Sequence, residues 1–133
     1  MRNKRTLAMI GMGPRGSYAL ENLISTLVDH QEAPDVQLLL FEATGNFGNG
    51  QVYDTQQTND NWLNVSERAL ELQGRKSLIY KGIELPGFPS YHQWADFDQG
   101  KASTDIDVYP PRAKLGVYLQ ERCQSLIEPL AAN

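Results

Sequence analysis

The sequence predicts an α/β domain built on a strand, helix, strand unit, and three observations carry that expectation. A short apolar run from Thr6 to Ile10 ends in glycines, an amphipathic stretch follows Pro14, and a second apolar run from Val36 to Phe41 is closed by Glu42. Continuous apolar runs of this length suit buried parallel strands better than half-exposed ones. Between them Leu20, Leu23, Ile24, Leu27 and Val28 recur three and four residues apart, which places them on one face of a helix. Pro14 is pre-set for the first helical turn, and the polar stretch from Asp29 and His30 to Pro34 stops the helix. Strand, helix and strand in this order form a right-handed βαβ unit.

From Ala43 to Pro111 the pattern changes to scattered Gly, Asn, Gln, Asp and aromatic residues, and only short elements are expected. Val65 to Leu72 reads as a short helix and Ser77 to Tyr80 as a short strand. Ser90-Tyr91-His92-Gln93 has the spacing of a capping box and opens a turn that carries Trp94. A long stretch of this kind inside a compact domain points to functional loops or to misassigned elements. The last element is a helix opened by Pro110-Pro111 and ended by Pro129. Leu115, Tyr118, Leu119, Leu126 and Ile127 share its inner face, with Arg122 at the margin. A doubly wound sheet needs several parallel strands and only two are readable, so the sheet is expected to be an incomplete part of a larger fold, with residues 1–133 forming its N-terminal portion.

At 133 residues the chain has the length of one domain, and 41% hydrophobic residues against 21% charged exclude a disordered tail. The net charge of -4 provides no positive field for a phosphate backbone, so nucleic-acid binding is not expected. The lone Cys123 cannot form an internal disulfide, and no apolar run approaches the length of a membrane span. The basic start Met1 to Arg5 is followed by an apolar stretch broken at once by Gly11, Gly13 and Pro14, so no targeting segment is read and the expected location is cytoplasmic.

The chemistry concentrates in Gly11-Met12-Gly13-Pro14-Arg15-Gly16, a Gly-x-Gly-x-x-Gly. Alone the pattern is weak, because glycine triplets also serve as plain turns. Here it follows a strand, opens a helix and precedes, one strand later, an acidic residue, which makes it a Rossmann-like dinucleotide fingerprint. Gly11 allows the tight turn, Gly13 lets a pyrophosphate approach the backbone, and Gly16 lets the helix pack on the strand. The helix N-terminus adds amide donors and partial positive charge. Glu42, at the carboxyl end of the second strand, can accept from both hydroxyls of an adenosine ribose and would repel a 2′-phosphate. This disfavours NADP here and leaves FAD and NAD equally compatible.

Several ordered motifs together bring out a resemblance. The chain resembles the FAD/NAD(P)-binding oxidoreductase-like family related to flavin-dependent N-hydroxylating monooxygenases, over nearly its whole length. Gly11 to Gly16 and Glu42 match that family's adenine-nucleotide half. Phe47-Gly48-Asn49-Gly50-Gln51-Val52-Tyr53 looks like its Phe-Gly-x-Gly-x-x-Tyr loop, and Leu63-Asn64-Val65 is similar to its Leu-Asn-Val segment. Trp94 matches an isolated tryptophan, and Tyr109-Pro110-Pro111-Arg112 with Gly116, Tyr118 and Leu119 matches a helix opening. Trp62 departs from the family, which more often has an aliphatic residue there, and the family's later parts have no counterpart in these 133 residues. The resemblance implies a Rossmann-like FAD/NAD(P)-binding domain with a long loop-rich insertion. It implies FAD as cofactor, with NAD(P)H in the full-length form, and a small-molecule substrate. The implied cofactor contacts are Gly11, Gly13, Pro14, Arg15 and Gly16 in the fingerprint, Glu42 after the second strand, and Phe47, Gly48, Gly50, Asn64 and Arg112 beyond it.

The same residues have plainer readings. Gly48 and Gly50 can take positive φ and bring a loop backbone close to a ligand, or form a surface turn. Asn64 suits a flavin or ribose edge, yet a loop asparagine more often satisfies nearby backbone. Arg112, a cation at a helix start, calls for an anionic neighbour, either a phosphate or a structural carboxylate. Trp62, Tyr91 and Trp94 read as core before they read as stacking platforms. His30 and His92 are too isolated for a metal site, and Cys123 reads as a packed residue. No nucleophilic triad or carboxylate pair is legible, which fits a protein whose cofactor carries the redox chemistry. The leading expectation is the FAD-binding portion of a flavin-dependent oxidoreductase. The alternatives are a non-catalytic adenine-nucleotide-binding module and the NAD-binding domain of a dehydrogenase.

Overall fold

A computed structural model describes residues 4–30, 35–98 and 107–132. The expected βαβ unit is present: β1 (Arg5–Ile10), α1 (Pro14–Asp29) and β2 (Val36–Phe41), with β1 and β2 parallel and in register from Arg5 opposite Val36 to Ile10 opposite Phe41. Pro14 stands at the first position of α1, and the His30 amide closes the helix on the Leu27 carbonyl at 3.3 Å. Pro34, expected to help end this helix, lies outside the described residues.

The chain then runs through turns to a single 3-10 turn, Glu67–Ala69, a short hairpin of β3 (Leu78–Tyr80) and β4 (Ile83–Leu85), α2 (Tyr91–Trp94) and the long α3 (Arg112–Ala131). The helix expected over Val65 to Leu72 contracts to that one turn because the Glu67 amide is taken by the Val108 carbonyl at 2.8 Å, and Ser66 provides no side-chain cap. The hairpin closes on Lys81 and Gly82, both at positive φ (48° and 81°), the geometry whose twist matches that of the two strands. The capping box is formed: Ser90 Oγ accepts from the Gln93 amide at 3.3 Å, and Gln93 Oε1 accepts from the Ser90 amide at 3.1 Å. Pro129 does not end α3, which runs on to Ala131. A proline in the last turn forfeits one backbone bond where several carbonyls already lack helical partners, and the Ala132 amide still reaches the Glu128 carbonyl at 3.1 Å.

The inner face of the sheet, with Met9, Leu38 and Leu40, packs on a core of Met12, Leu20, Ile24, Leu85, Cys123 and Leu126 contributed by the turn after β1, α1, β4 and α3. A second core gathers Leu63, Leu70, Tyr91, Leu115, Tyr118 and Leu119, with the Tyr118 ring 5.4–5.5 Å from those of Phe88, Tyr91 and Trp94. Tyr91 is fully buried as expected, whereas Trp62, expected in the core, is 61% exposed beside its bridge to Pro111.

Buried charge joins the two cores. Glu21 Oε1 accepts from Arg75 Nη1 at 2.7 Å and Arg122 Nε at 2.8 Å, while its Oε2 accepts from Arg122 Nη2 at 2.9 Å. Arg122 also donates to the Gln73 carbonyl and the Tyr118 hydroxyl, and Arg75 donates to the Pro86 carbonyl and Ser125. Arg122 is therefore not marginal to α3 but buried at its centre, tying α1, α3 and the segment before the hairpin together. Burial works against its charge, but the hydrogen-bonded Glu21 carboxylate outweighs burial and holds its pKa above the ordinary guanidinium range.

The sheet corrects one expectation. Both strands were expected to be buried, yet every β1 residue except Met9 is exposed, and Ile10 (87%) and Phe41 (52%) stand open. Among the described residues β1 pairs only with β2, and no layer covers the face formed by Ala8, Ile10, Leu39 and Phe41. Among the same residues, no helix is long and apolar enough to cross a membrane.

Candidate functional site

The residues singled out in the fingerprint meet where β1 and β2 end. The Gly11 amide donates to the Phe41 carbonyl at 2.8 Å, which fastens the start of the glycine turn to the end of β2. Gly11 has φ 91°, the left-handed region in which a side chain is strained. Gly16 is excluded from substitution by packing: a Cβ there would lie 2.1 Å from the Gly11 carbonyl oxygen. Gly13, the N-cap of α1, differs from both. Its backbone is extended (φ -71°, ψ -160°), and a Cβ would meet only the Gly50 Cα, at an ordinary 3.6 Å. The fold therefore does not itself need a glycine at this position.

The first intrahelical bond of α1 runs from the Ser17 amide to the Gly13 carbonyl at 3.0 Å, so the Arg15 and Gly16 amides have no acceptor within the helix. Pro14 contributes no amide, and the Arg15 side chain is exposed. These two donors and the positive end of the helix dipole form an anion-accepting cradle.

Glu42 lies beside this cradle. Its Oε1 accepts from the Met12 amide, inside the glycine turn, at 3.1 Å. Its Oε2 accepts from the Thr44 amide at 2.9 Å and the Thr44 hydroxyl at 2.7 Å. The Thr44 hydroxyl, then the Thr44 amide and, more weakly, the Met12 amide hold the carboxyl below the ordinary glutamate range against the opposing effect of desolvation. The carboxylate is thus ionised and fixed at the carboxyl edge of the strand pair.

The loop after Glu42 folds back onto the glycine turn. The Gly48 amide donates to the Met12 carbonyl at 2.7 Å, and Gly50 (φ 65°) is so close to Gly13 that a Cβ on it would sit 3.2 Å from the Gly13 Cα. Gly48 also packs on α3, where a Cβ would lie 2.3 Å from the Leu119 carbonyl oxygen. Asn49 is fully buried, donates Nδ2 to the Tyr53 carbonyl at 3.0 Å, and leaves its Oδ1 without a partner.

The remaining expected site residues have the following surroundings. Phe47 packs against the first core and lines a groove of about 820 Å³ between the inner sheet face, α1, the hairpin and the end of α3. That groove is lined mainly by aliphatic side chains such as Leu20, Ile24, Leu38 and Ile127 and does not include the glycine turn or Glu42. Asn64 is exposed. Arg112 has a carbonyl in place of the anion its position called for, donating Nε to the Trp62 oxygen at 3.1 Å. Cys123 is buried, and burial pushes its thiol up to about 11. The His92 ring pairs through Nε2 with the Glu67 carbonyl at 2.7 Å. Sequence reasoning missed Thr44 and Asn49. An acid followed two residues later by threonine and then glycine was the available sign of a turn in which the threonine faces the acid.

The sequence profile of the FAD-NAD(P)-binding family matches residues 8–133, and the chain belongs to that family. It is also similar to a nitrosuccinic acid synthase of Aspergillus oryzae, with 34% identity over 115 residues, covering 86% of this chain and 17% of that protein. The chain thus spans about one sixth of the length of that relative. Its α/β architecture, with one parallel strand pair and a glycine turn opening a helix, is that of a partial Rossmann-like FAD/NAD(P)-binding domain.

Proposed function

We propose that this chain is the N-terminal, FAD-binding portion of a flavin-dependent oxidoreductase that uses NAD(P)H in its full-length form and acts on a small molecule in the cytoplasm. The observation that carries the proposal is the junction of Glu42 with the glycine turn: a fixed carboxylate bonded to the Met12 amide, next to the unpaired Arg15 and Gly16 amides. An adenosine diphosphate moiety needs this pairing, with an acceptor for ribose hydroxyls and donors for a pyrophosphate a few ångströms away.

The residues present fit FAD on the structure's own terms. Gly13 has extended backbone, and a Cβ there would meet only the Gly50 Cα, at an ordinary 3.6 Å, so neither strain nor clash calls for a glycine and a closely approaching ligand does. In this reading the Arg15 and Gly16 amides hold the pyrophosphate, Glu42 accepts from the ribose, and the Gly48 to Gly50 loop closes over the turn. The bound flavin would supply two-electron redox chemistry, while this chain binds and orients it. Phe47, Asn64 and Arg112 contribute by shaping the loops around the site. The similarity to a nitrosuccinic acid synthase supports an oxidation at nitrogen for the whole protein.

Titration calorimetry with ADP, followed by an absorption spectrum of the chain mixed with FAD, tests the proposal. It requires saturable ADP binding that is lost when Glu42 and Gly13 are both substituted. Absence of ADP binding by the folded wild type would overturn it.

A further inference from the structure

We propose that Thr44 is a positioning residue that holds the Glu42 carboxylate by one oxygen and thereby assigns the other, Oε1, to the ligand. This rests on the reading of Glu42 as the ribose acceptor and adds a residue and an atom to it.

A carboxylate offers about four acceptor directions, two on each oxygen. On Glu42, Oε2 uses both of its directions on Thr44, accepting the amide at 2.9 Å and the hydroxyl at 2.7 Å. Oε1 uses one on the Met12 amide at 3.1 Å and retains one. A ribose hydroxyl therefore bonds to Oε1, the one acceptor direction that this rotamer leaves open.

The direction of the threonine bond is also fixed. Thr44 Oγ1 accepts from the Asn46 amide at 3.2 Å, so its own proton is directed to Glu42 Oε2. The turn reinforces the arrangement: the Gly45 amide closes on the Glu42 carbonyl at 3.1 Å, which returns the Thr44 amide and hydroxyl toward the side chain two residues before them. Asn46 continues the chain of bonds, exchanging its carbonyl with the Gly50 amide at 2.8 Å and its Nδ2 with the Gly50 carbonyl at 3.4 Å. The ribose acceptor and the Gly13–Gly50 contact are thus two ends of one hydrogen-bonded loop.

The test is the ratio of affinities for ADP and 2′,3′-dideoxy-ADP, measured by calorimetry on the whole chain as wild type and as four variants. The ratio isolates what the ribose hydroxyls contribute. Thr44→Val keeps the shape, removes the hydroxyl and should lower the ratio about tenfold, the weight of one charge-assisted bond. Thr44→Ser should restore it to within about twofold, because the hydroxyl returns. Thr44 is exposed, so the variants are expected to fold, and Thr44→Ala serves as a second hydroxyl-free form. If Thr44→Val and Thr44→Ala weaken both nucleotides equally and leave the ratio unchanged, Thr44 only supports the loop and the proposal is overturned. If Glu42→Gln leaves the ratio at its wild-type value, the ribose reading itself fails. A ratio that falls in Glu42→Gln but not in Thr44→Val overturns the positioning role alone.

Discussion

Substituting Gly13 and Gly16 by alanine separates a glycine kept for a ligand from one kept for the fold. At Gly16 a Cβ would stand 2.1 Å from the Gly11 carbonyl oxygen, so backbone must shift by more than an ångström, and overpacking of this kind costs about 3 kcal/mol. At Gly13 the backbone is extended and the Cβ meets Gly50 Cα at 3.6 Å, so there is neither strain nor clash. Alanine is a poorer N-cap than glycine by roughly 1 kcal/mol, and the gain from a less flexible unfolded chain, about 0.4–1 kcal/mol, nearly offsets that loss. The Gly13→Ala protein should therefore melt within a few degrees of wild type. Its nucleotide affinity should fall far more, because a methyl group would occupy the approach of a phosphate to the Arg15 and Gly16 amides. Losing one or two charge-assisted bonds, about 1.5–3 kcal/mol each, weakens ADP binding on the order of a hundredfold. Thermal unfolding and ADP calorimetry on the two variants decide the matter. Unchanged ADP affinity in a folded Gly13→Ala protein would refute the placement of the pyrophosphate, and melting as low as that of Gly16→Ala would refute the separation of roles.

Glu21→Gln should destabilise the chain by about 3–5 kcal/mol in urea titrations, since Arg75 and Arg122, with side chains only 7% and 5% exposed, would lose their shared counter-charge. Cys123, with its thiol near 11, should react with a thiol reagent at pH 8 roughly a thousandfold more slowly than a fully ionised thiolate, speed up about tenfold per pH unit toward 11, and react rapidly once the chain is unfolded. Because Glu42 is held below the ordinary glutamate range, its contribution to the turn should be complete above about pH 4.3 and be lost as pH falls through the folded-state value. An NMR titration of the Thr44 amide should show its midpoint below that of an unfolded glutamate, and a midpoint at or above it would contradict the bonding seen. The isolated chain should bind ADP weakly and lose FAD on gel filtration, and tight stoichiometric FAD retention would show that it carries the isoalloxazine contacts as well.

The parts legible in the sequence are those whose cause is local. Thr6 to Ile10, Pro14 to Asp29 and Val36 to Phe41 announce themselves through continuous apolar runs, a three-four repeat and glycine or proline punctuation, and their expected bounds differ from those observed by no more than a residue. The capping box at Ser90 is equally local. What escaped depends on distant partners. Arg122 looks like the margin of an amphipathic helix until Glu21, 101 residues away along the chain, is placed opposite it. β4 is three residues long and exists because it pairs with β3, through a turn whose Lys81 adopts a positive φ that its side chain does not advertise. Thr44 is an ordinary loop residue by type, and only the turn at Gly45 aims its hydroxyl at Glu42.

The strand pair shows how a sequence can encode more burial than a chain provides. Both strands are apolar on alternate as well as successive positions, the composition of strands covered on two faces, yet among the described residues α1 and the cores cover only one. Leu39, Phe41, Ala8 and Ile10 form the other face, and two of them immediately precede parts of the candidate site: Ile10 leads into Gly11, and Phe41 into Glu42. The Phe41 carbonyl also holds the Gly11 amide. Any element that covers this face and orders the ends of β1 and β2 therefore also orders the glycine turn and the acid. A ligand gripping those two groups favours the same ordered ends in return, as the reciprocity of linked equilibria demands. On the proposed reading of the glycine turn and Glu42 as the nucleotide site, nucleotide binding and coverage of the sheet are for this reason two readings of one equilibrium, centred on the bond from Gly11 to Phe41.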